Sequence, residues 1–383
     1  MQIKGRTVAL FLLVVGFVLS CGSHSPNNRS DHSDARTDFT LDILGGSSIR
    51  FVAFGDTRFH DPSDTTPANA SVRQAIVAAI DKERPTFVSI SGDIVFAGDD
   101  ASDWKVWDSE SAAWRDHHIP VFPVLGNHDL KGDHDTALAN YFARFPRVEK
   151  NRFYSVRFGN CVLLVLDSSQ DEVSGEQGEW LLRHLDLYAN SLNFIFIALH
   201  HPPYTSSSDE KRYGGGHSAR TREQSLARVL ESRQPQMHAR LIVFSGHVHN
   251  YEHHDHGGVT YFVTGGGGAH PYLIPRKPSD LYQDSGINYH YLMVDATPQR
   301  VRVTMNKLDI ADGKQQWTQP DVVVIPGAAP VARQPISNRT FTQFSSELIT
   351  RKYETDHAHS YRRRRAANGR PLETRLGGGG LPG

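Results

Sequence analysis

Two imidazoles stand one residue apart in Gly246-His247-Val248-His249. The run before them, Arg240-Leu241-Ile242-Val243-Phe244-Ser245, is rich in β-branched and aromatic side chains and reads as a buried strand. Gly246 ends it and permits a sharp turn. Ligands of open α/β sheets gather outside the carboxyl ends of the strands. A turn that bends there would let the two rings serve two metal ions a few ångströms apart. Two polar loop histidines would look the same from this pair alone. Other strand ends shift the balance: Gly55-Asp56, Gly92-Asp93, Gly126-Asn127-His128-Asp129 and His200-His201-Pro202. Carboxylates, imidazoles and one amide oxygen suit Zn, Fe or Mn. The set holds no thiolate, which argues against a structural zinc site.

Such residues need strands alternating with helices to hold them. Residues 49–54, 86–90 and 121–125 read as strands. Between them, residues 69–82 carry Val72, Ile76, Val77 and Ile80 at helical spacing. Residues 102–116 read as a helix with Trp104, Trp107 and Trp114 on one side, as core. Strand, helix, strand, helix, strand implies parallel pairing with right-handed crossovers. A hairpin over 153–158 and 161–166 follows, with Cys161 as a small buried residue. Then come an amphipathic helix over 176–188, a strand over 193–199, a polar loop over 206–218 and a helix over 222–233. After His249 the pattern turns antiparallel, with 259–264 before the glycines 265–268 and a hairpin over 289–294 and 300–306. There is no internal repeat.

The 383 residues are 38% hydrophobic and 22% charged, enough for one large core or two smaller ones. A formal net charge of −1 offers nucleic acid no bulk attraction, so no such partner is expected. Two cysteines, Cys21 and Cys161, exclude a disulfide scaffold. Lys4 and Arg6 precede an apolar stretch, residues 8–19, that is short for a membrane span. It ends in Val18-Leu19-Ser20-Cys21-Gly22 and resembles the lipobox of bacterial lipoproteins, in which the chain is cut before a cysteine that is then lipidated. The expected organisation is a lipoprotein-type signal peptide over 1–20, a flexible tether over 21–47, a folded domain over 48–325 and a disordered basic, glycine-rich tail over 326–383. The expected location is outside the cytoplasm, on a membrane through Cys21. An ordinary signal peptide with a chance cysteine is the alternative.

Taken in order, the strand-end motifs resemble the calcineurin-like metallophosphoesterase superfamily across the whole regular part of the chain. Gly246-His247-Val248-His249-Asn250-Tyr251-Glu252 and the glycines from Gly265 are most similar to its purple acid phosphatase branch. The resemblance implies an α/β fold, a four-layer α/β/β/α sandwich with two mixed β-sheets. It implies two divalent or trivalent metal ions (Fe, Zn or Mn) and a small phosphate-ester substrate. The nucleophile would be a hydroxide between the metals that attacks phosphorus in line. The resemblance makes Asp93 the bridging ligand and gives Asp56 and His249 to the first metal. It gives Asn127, His200 and His247 to the second. His200 is preferred to His201 because the family pattern reads His-x-Pro. His128 would lie near the leaving oxygen, as general acid or as a donor to developing charge.

Two positions depart from the pattern. Where the superfamily commonly has histidine, this chain has Arg58, which cannot ligate a cation but can grip phosphate in a bidentate fork. His60 is a candidate replacement ligand. Where purple acid phosphatases have tyrosine and phosphoprotein phosphatases aspartate, this chain has Phe96, expected neither to ligate iron nor to orient His128. Tyr204, Arg212, Tyr213, His217, Arg220, Tyr251 and His270 are candidates for substrate selection. The second reading is a non-catalytic surface protein of the same fold that binds a metal or a phosphate ligand. A nuclease ranks last, because the folded region lacks a basic run.

Overall fold

The computed structural model describes residues 38–40, 48–148, 150–211 and 215–327. The signal segment with Cys21, most of the expected tether, nearly all of the tail, and Arg212 and Tyr213 lie outside these residues.

In chain order, β1 (Asp38–Thr40) is followed by β2 (Ile49–Phe54), α1 (Ala70–Glu83), β3 (Val88–Ile90), α2 (Ala101–Glu110), α3 (Ala112–Asp116), β4 (Val121–Pro123) and α4 (His134–Arg144). The hairpin of β5 (Tyr154–Phe158) and β6 (Cys161–Val165) leads to α5 (Gly175–Tyr188), β7 (Phe194–Leu199), α6 (Thr221–Arg233) and β8 (Arg240–Ser245). The rest is strand: β9 (Tyr251–His256), β10 (Val259–Thr264), β11 (Tyr289–Ala296), β12 (Arg300–Ala311), β13 (Lys314–Thr318) and β14 (Val322–Pro326).

Two mixed sheets result. One runs β1-β5-β6-β7-β8-β10-β9, and the other β13-β12-β11-β2-β3-β4 with β14 also on β12. The β2-β3-β4 pairs are parallel, as the alternation of strand and helix implies. An aromatic layer joins the sheets. The Phe51 ring lies 4.6 Å from Phe87 within its own sheet, and 5.1 Å from Phe196 across the interface. Helices cover the outer faces. Trp114 of α3 packs on Phe54 at 6.2 Å and donates from Nε1 to the Val77 carbonyl at 3.1 Å. On the other side Trp180, Leu181, Leu226 and Leu230 bury the outer face of β7 and β8. The layers are therefore α/β/β/α, and the three tryptophans Trp104, Trp107 and Trp114 are core. Burial pushes the Cys161 thiol up to about 12, so it packs as an inert apolar group.

Several boundaries differ from expectation. Regular structure begins inside the stretch expected to be tether, because residues 38–40 pair with β5 in parallel. The helix expected over 102–116 breaks at Ser111, whose hydroxyl donates to the Trp107 carbonyl at 2.6 Å. Such back-bonding competes with the helical ladder. Helix α4 went unread: its apolar stripe is short, and its start is marked only by Asp133, which caps the Thr136 N–H at 2.9 Å. Strands β13 and β14 are largely exposed and so lack a buried alternating pattern.

Candidate metal centre

The ends of β2, β3, β4, β7 and β8 converge. Asp56 and Asp93 are fully buried there, and the backbone that presents them is strained. Asp56 (φ 58°), Arg58 (43°), Asp93 (51°) and His247 (69°) all lie in the left-handed region, which non-glycine residues rarely occupy. The role expected of Gly246 changes accordingly. The turn is made by His247, while Gly246 permits close approach: a Cβ there would stand 2.5 Å from Asp56 Oδ2 and 2.8 Å from the Ser91 carbonyl. In return the His247 N–H donates to Asp56 Oδ2 at 2.9 Å. Asp129 bolts two of the loops together. It accepts from the backbone N–H of Gly126 at 2.8 Å, Ile94 at 2.9 Å and Val95 at 3.3 Å. Burial, with the charge of Asp93, pushes its carboxyl up to about 8.

Two donor sets form beside each other. Asp56, Asp93 and His249 offer ligand atoms that all lie within 4.8 Å of one another. So do His200, His201 and His247. Asn127 joins the second set, its Oδ1 3.0 Å from His200 Nε2 and 3.1 Å from His247 Nδ1. The tautomers follow from the partners. His249 Nδ1 donates to the His270 carbonyl at 2.6 Å, which leaves a lone pair on Nε2. That Nε2 is buried without a hydrogen-bond partner and stands 3.5 Å from Asp56 Oδ1. His200 Nδ1 donates to the Ser91 carbonyl at 2.8 Å, so its Nε2 lone pair faces Asn127 Oδ1 and, at 3.3 Å, Asp93 Oδ1.

Burial holds the His200, His247 and His249 rings below the usual histidine range, which keeps them neutral. Burial, with the charge of Asp93, raises the Asp56 carboxyl. Burial pushes Asp93 the same way but is outweighed by the Arg58 charge and the His128 N–H, so Asp93 stays low. Converging lone pairs beside two buried carboxyl groups suit cations, and a hard or borderline divalent ion fits the oxygen and nitrogen set. All six expected ligands are thus brought together. His201, set aside by the resemblance, shares the second cluster, its ring 4.2 Å from that of His247.

Arg58 lies at the first set, where its Nη2 donates to Asp93 Oδ2 at 3.1 Å. Its Nε is buried without a partner. His60 does not complete the set: its two ring nitrogens face Asp103 at 2.5 Å and Asp64 at 3.4 Å. Phe96 corrects a second expectation. Its main-chain carbonyl accepts from His128 Nδ1 at 2.6 Å, so the residue does orient His128, through backbone rather than side chain.

Of the other candidates, His217 reaches the centre, 4.7 Å from the His247 ring. The His270 carbonyl fixes His249, and Arg220 sits behind His201. Tyr204 bonds Glu231 at 2.7 Å and Tyr251 bonds Asp321 at 2.8 Å, both away from the donor sets. Tyr272 was missed. It stacks on His249 at 4.3 Å, after a loop whose sequence carries no periodic signal.

The calcineurin-like phosphoesterase family matches residues 49–251. Purple acid phosphatase 15 of Arabidopsis thaliana is 30% identical over 168 residues, which are 39% of this chain and 30% of that protein. The match therefore spans under a third of that relative. Among solved structures, purple acid phosphatase PPD1 from yellow lupin (Lupinus luteus) seeds aligns with a TM-score of 0.57 at 18% identity, over 74% of this chain and 55% of that one. GAP50, the anchor in the inner membrane complex of Plasmodium, aligns with a TM-score of 0.54 at 15% identity, over 74% and 90%. At these identities the two structures show a shared fold.

Proposed function

The chain belongs to the calcineurin-like phosphoesterase family, and from that premise we propose that it is a metal-dependent hydrolase of phosphate esters with a two-metal centre. The observation that carries the reading is the pair of neutral imidazoles, His200 and His249. Each is tied through Nδ1 to a carbonyl and turns Nε2 toward a buried carboxylate. Asp56, Asp93 and His249 would hold one ion; Asp93, Asn127, His200 and His247 would hold the other. When bound, the ions supply Lewis-acid polarisation of the phosphoryl group and acidify the attacking water.

The chain's own residues do the rest. Arg58 brings a buried positive charge and an unpartnered Nε–H to the site, suited to a phosphoryl oxygen. His128, with Nδ1 committed to the Phe96 carbonyl, lines the open cleft and keeps Nε2 for a leaving oxygen. The test is metal content of the purified protein together with hydrolysis of p-nitrophenyl phosphate and its bis-ester. Metal without turnover on either ester would favour the second reading, a surface protein that binds a metal or phosphate ligand. One observation supports that alternative: the Arg58–Asp93 ion pair, which sets a fixed cation against the expected bridging carboxylate. The N-terminal sequence supports export and attachment through Cys21, and Cys21→Ser should release the protein from the membrane or block its processing.

A further inference from the structure

Beside the second donor set lies a cleft of about 660 Å³, within the size range of small-molecule sites. Asn127, His128 and His201 line it together with Lys131, Arg220 and Arg222. Among the described residues, no Asp or Glu lines it. The three cations are held there. Lys131 Nζ sits 3.7 Å over the centre of the Phe96 ring, the residue that also orients His128. Arg220 donates to the Ser168 carbonyl at 2.7 Å and pairs through Nε with the buried Glu223 at 3.0 Å. Ser168 in turn bonds His201 Nδ1 at 2.8 Å, which ties the arginine to the donor set. Arg222 donates to the carbonyls of Ser168 at 3.3 Å and Ser169 at 3.4 Å. An aromatic face does not neutralise a cation, so Lys131 keeps its charge for a ligand, while Arg222 also attracts the Asp171 and Glu172 carboxyl groups.

We propose that this cleft is a subsite for a second anionic group, so the favoured substrates are phosphate esters that carry a further phosphate or carboxylate. The inference rests on the phosphoesterase reading, in which the scissile phosphate lies at the donor sets and the rest of the substrate extends past His128. Phe96 then has a use that aspartate would not serve: an aromatic face that seats Lys131.

Matched esters test it. Propyl phosphate is compared with propanediol bisphosphate, and the butanediol and pentanediol homologues find the spacing. The best bisphosphate should exceed its monophosphate in kcat/KM by about tenfold or more, the scale of one charge-assisted hydrogen bond. The Lys131→Gln/Arg222→Gln double variant should lose most of that ratio, and both side chains lie outside the core. Equal kcat/KM for every pair in the wild type, or an unchanged ratio in the double variant, overturns the subsite. Calorimetric binding of the best bisphosphate gives a second readout. If no ester is hydrolysed, the phosphoesterase reading fails on its own. Binding weakened about tenfold in the double variant would then still support the cleft, and equal binding would overturn it.

Discussion

His128 Nδ1 donates to the main-chain carbonyl of Phe96 at 2.6 Å. This one bond fixes the tautomer of the ring next to the second donor set. It does so without any requirement on the side chain at position 96. Phe96→Leu should therefore keep turnover on a simple monoester within a few-fold of wild type. His128→Ala should lower turnover by ~10²–10⁴-fold with metal content nearly unchanged. A metal-free His128→Ala protein would show that the ring is a ligand and not a leaving-group donor.

Asp93 faces both sets, accepting from Arg58 and from the His128 N–H at 2.8 Å. Asp93→Asn removes the charge that two cations would share. Most activity and most bound metal should be lost together, read by elemental analysis and a chromogenic ester. Wild-type metal content in that variant would contradict the bridging role.

Asp129 is the acceptor for three buried backbone donors. Asp129→Ala should cost roughly 3 kcal/mol or more, since each buried donor left without a partner costs about 1–3 kcal/mol. Urea unfolding measures this. A change within error of zero would mean that the loops hold their register without it.

The site was legible where chemistry demands particular residue types beside a strand end. Asp56, Asp93, Asn127, His200, His247 and His249 follow that rule, and the structure brings them together. The scaffold was legible where burial imposes a period, as in β2, β7, β8 and α5. What escaped depends on backbone or surface. The Phe96 carbonyl is available from any residue. The Ser111 break arises from a hydroxyl finding its own helix. Tyr272, Lys131 and Arg222 stand on loops or at a helix start, where spacing carries no information. Gly246 was read for a turn, but its missing Cβ matters through contact with Asp56, distant in sequence.

Glu172 supplies a pH dependence away from the metal ligands. Burial, with the charge of Glu223, raises its carboxyl from 4.5 to about 8. Between those values the folded protein binds more protons than the unfolded chain, so stability falls as pH rises through this window. Glu172→Gln keeps the neutral form and should flatten that decline in Tm against pH. An identical slope in the variant would contradict the assignment.

The central claim is that adjacent donor sets hold two metal ions that drive phosphate-ester hydrolysis. The most direct measurement strips the full-length protein with chelator, then titrates it with Zn²⁺ or Mn²⁺ while following p-nitrophenyl phosphate hydrolysis. Activity should vanish with the metal and return as both sets fill, with His249→Ala leaving one set vacant and the rate low. Undiminished hydrolysis in the stripped protein, or full activity with a single bound ion, would contradict it.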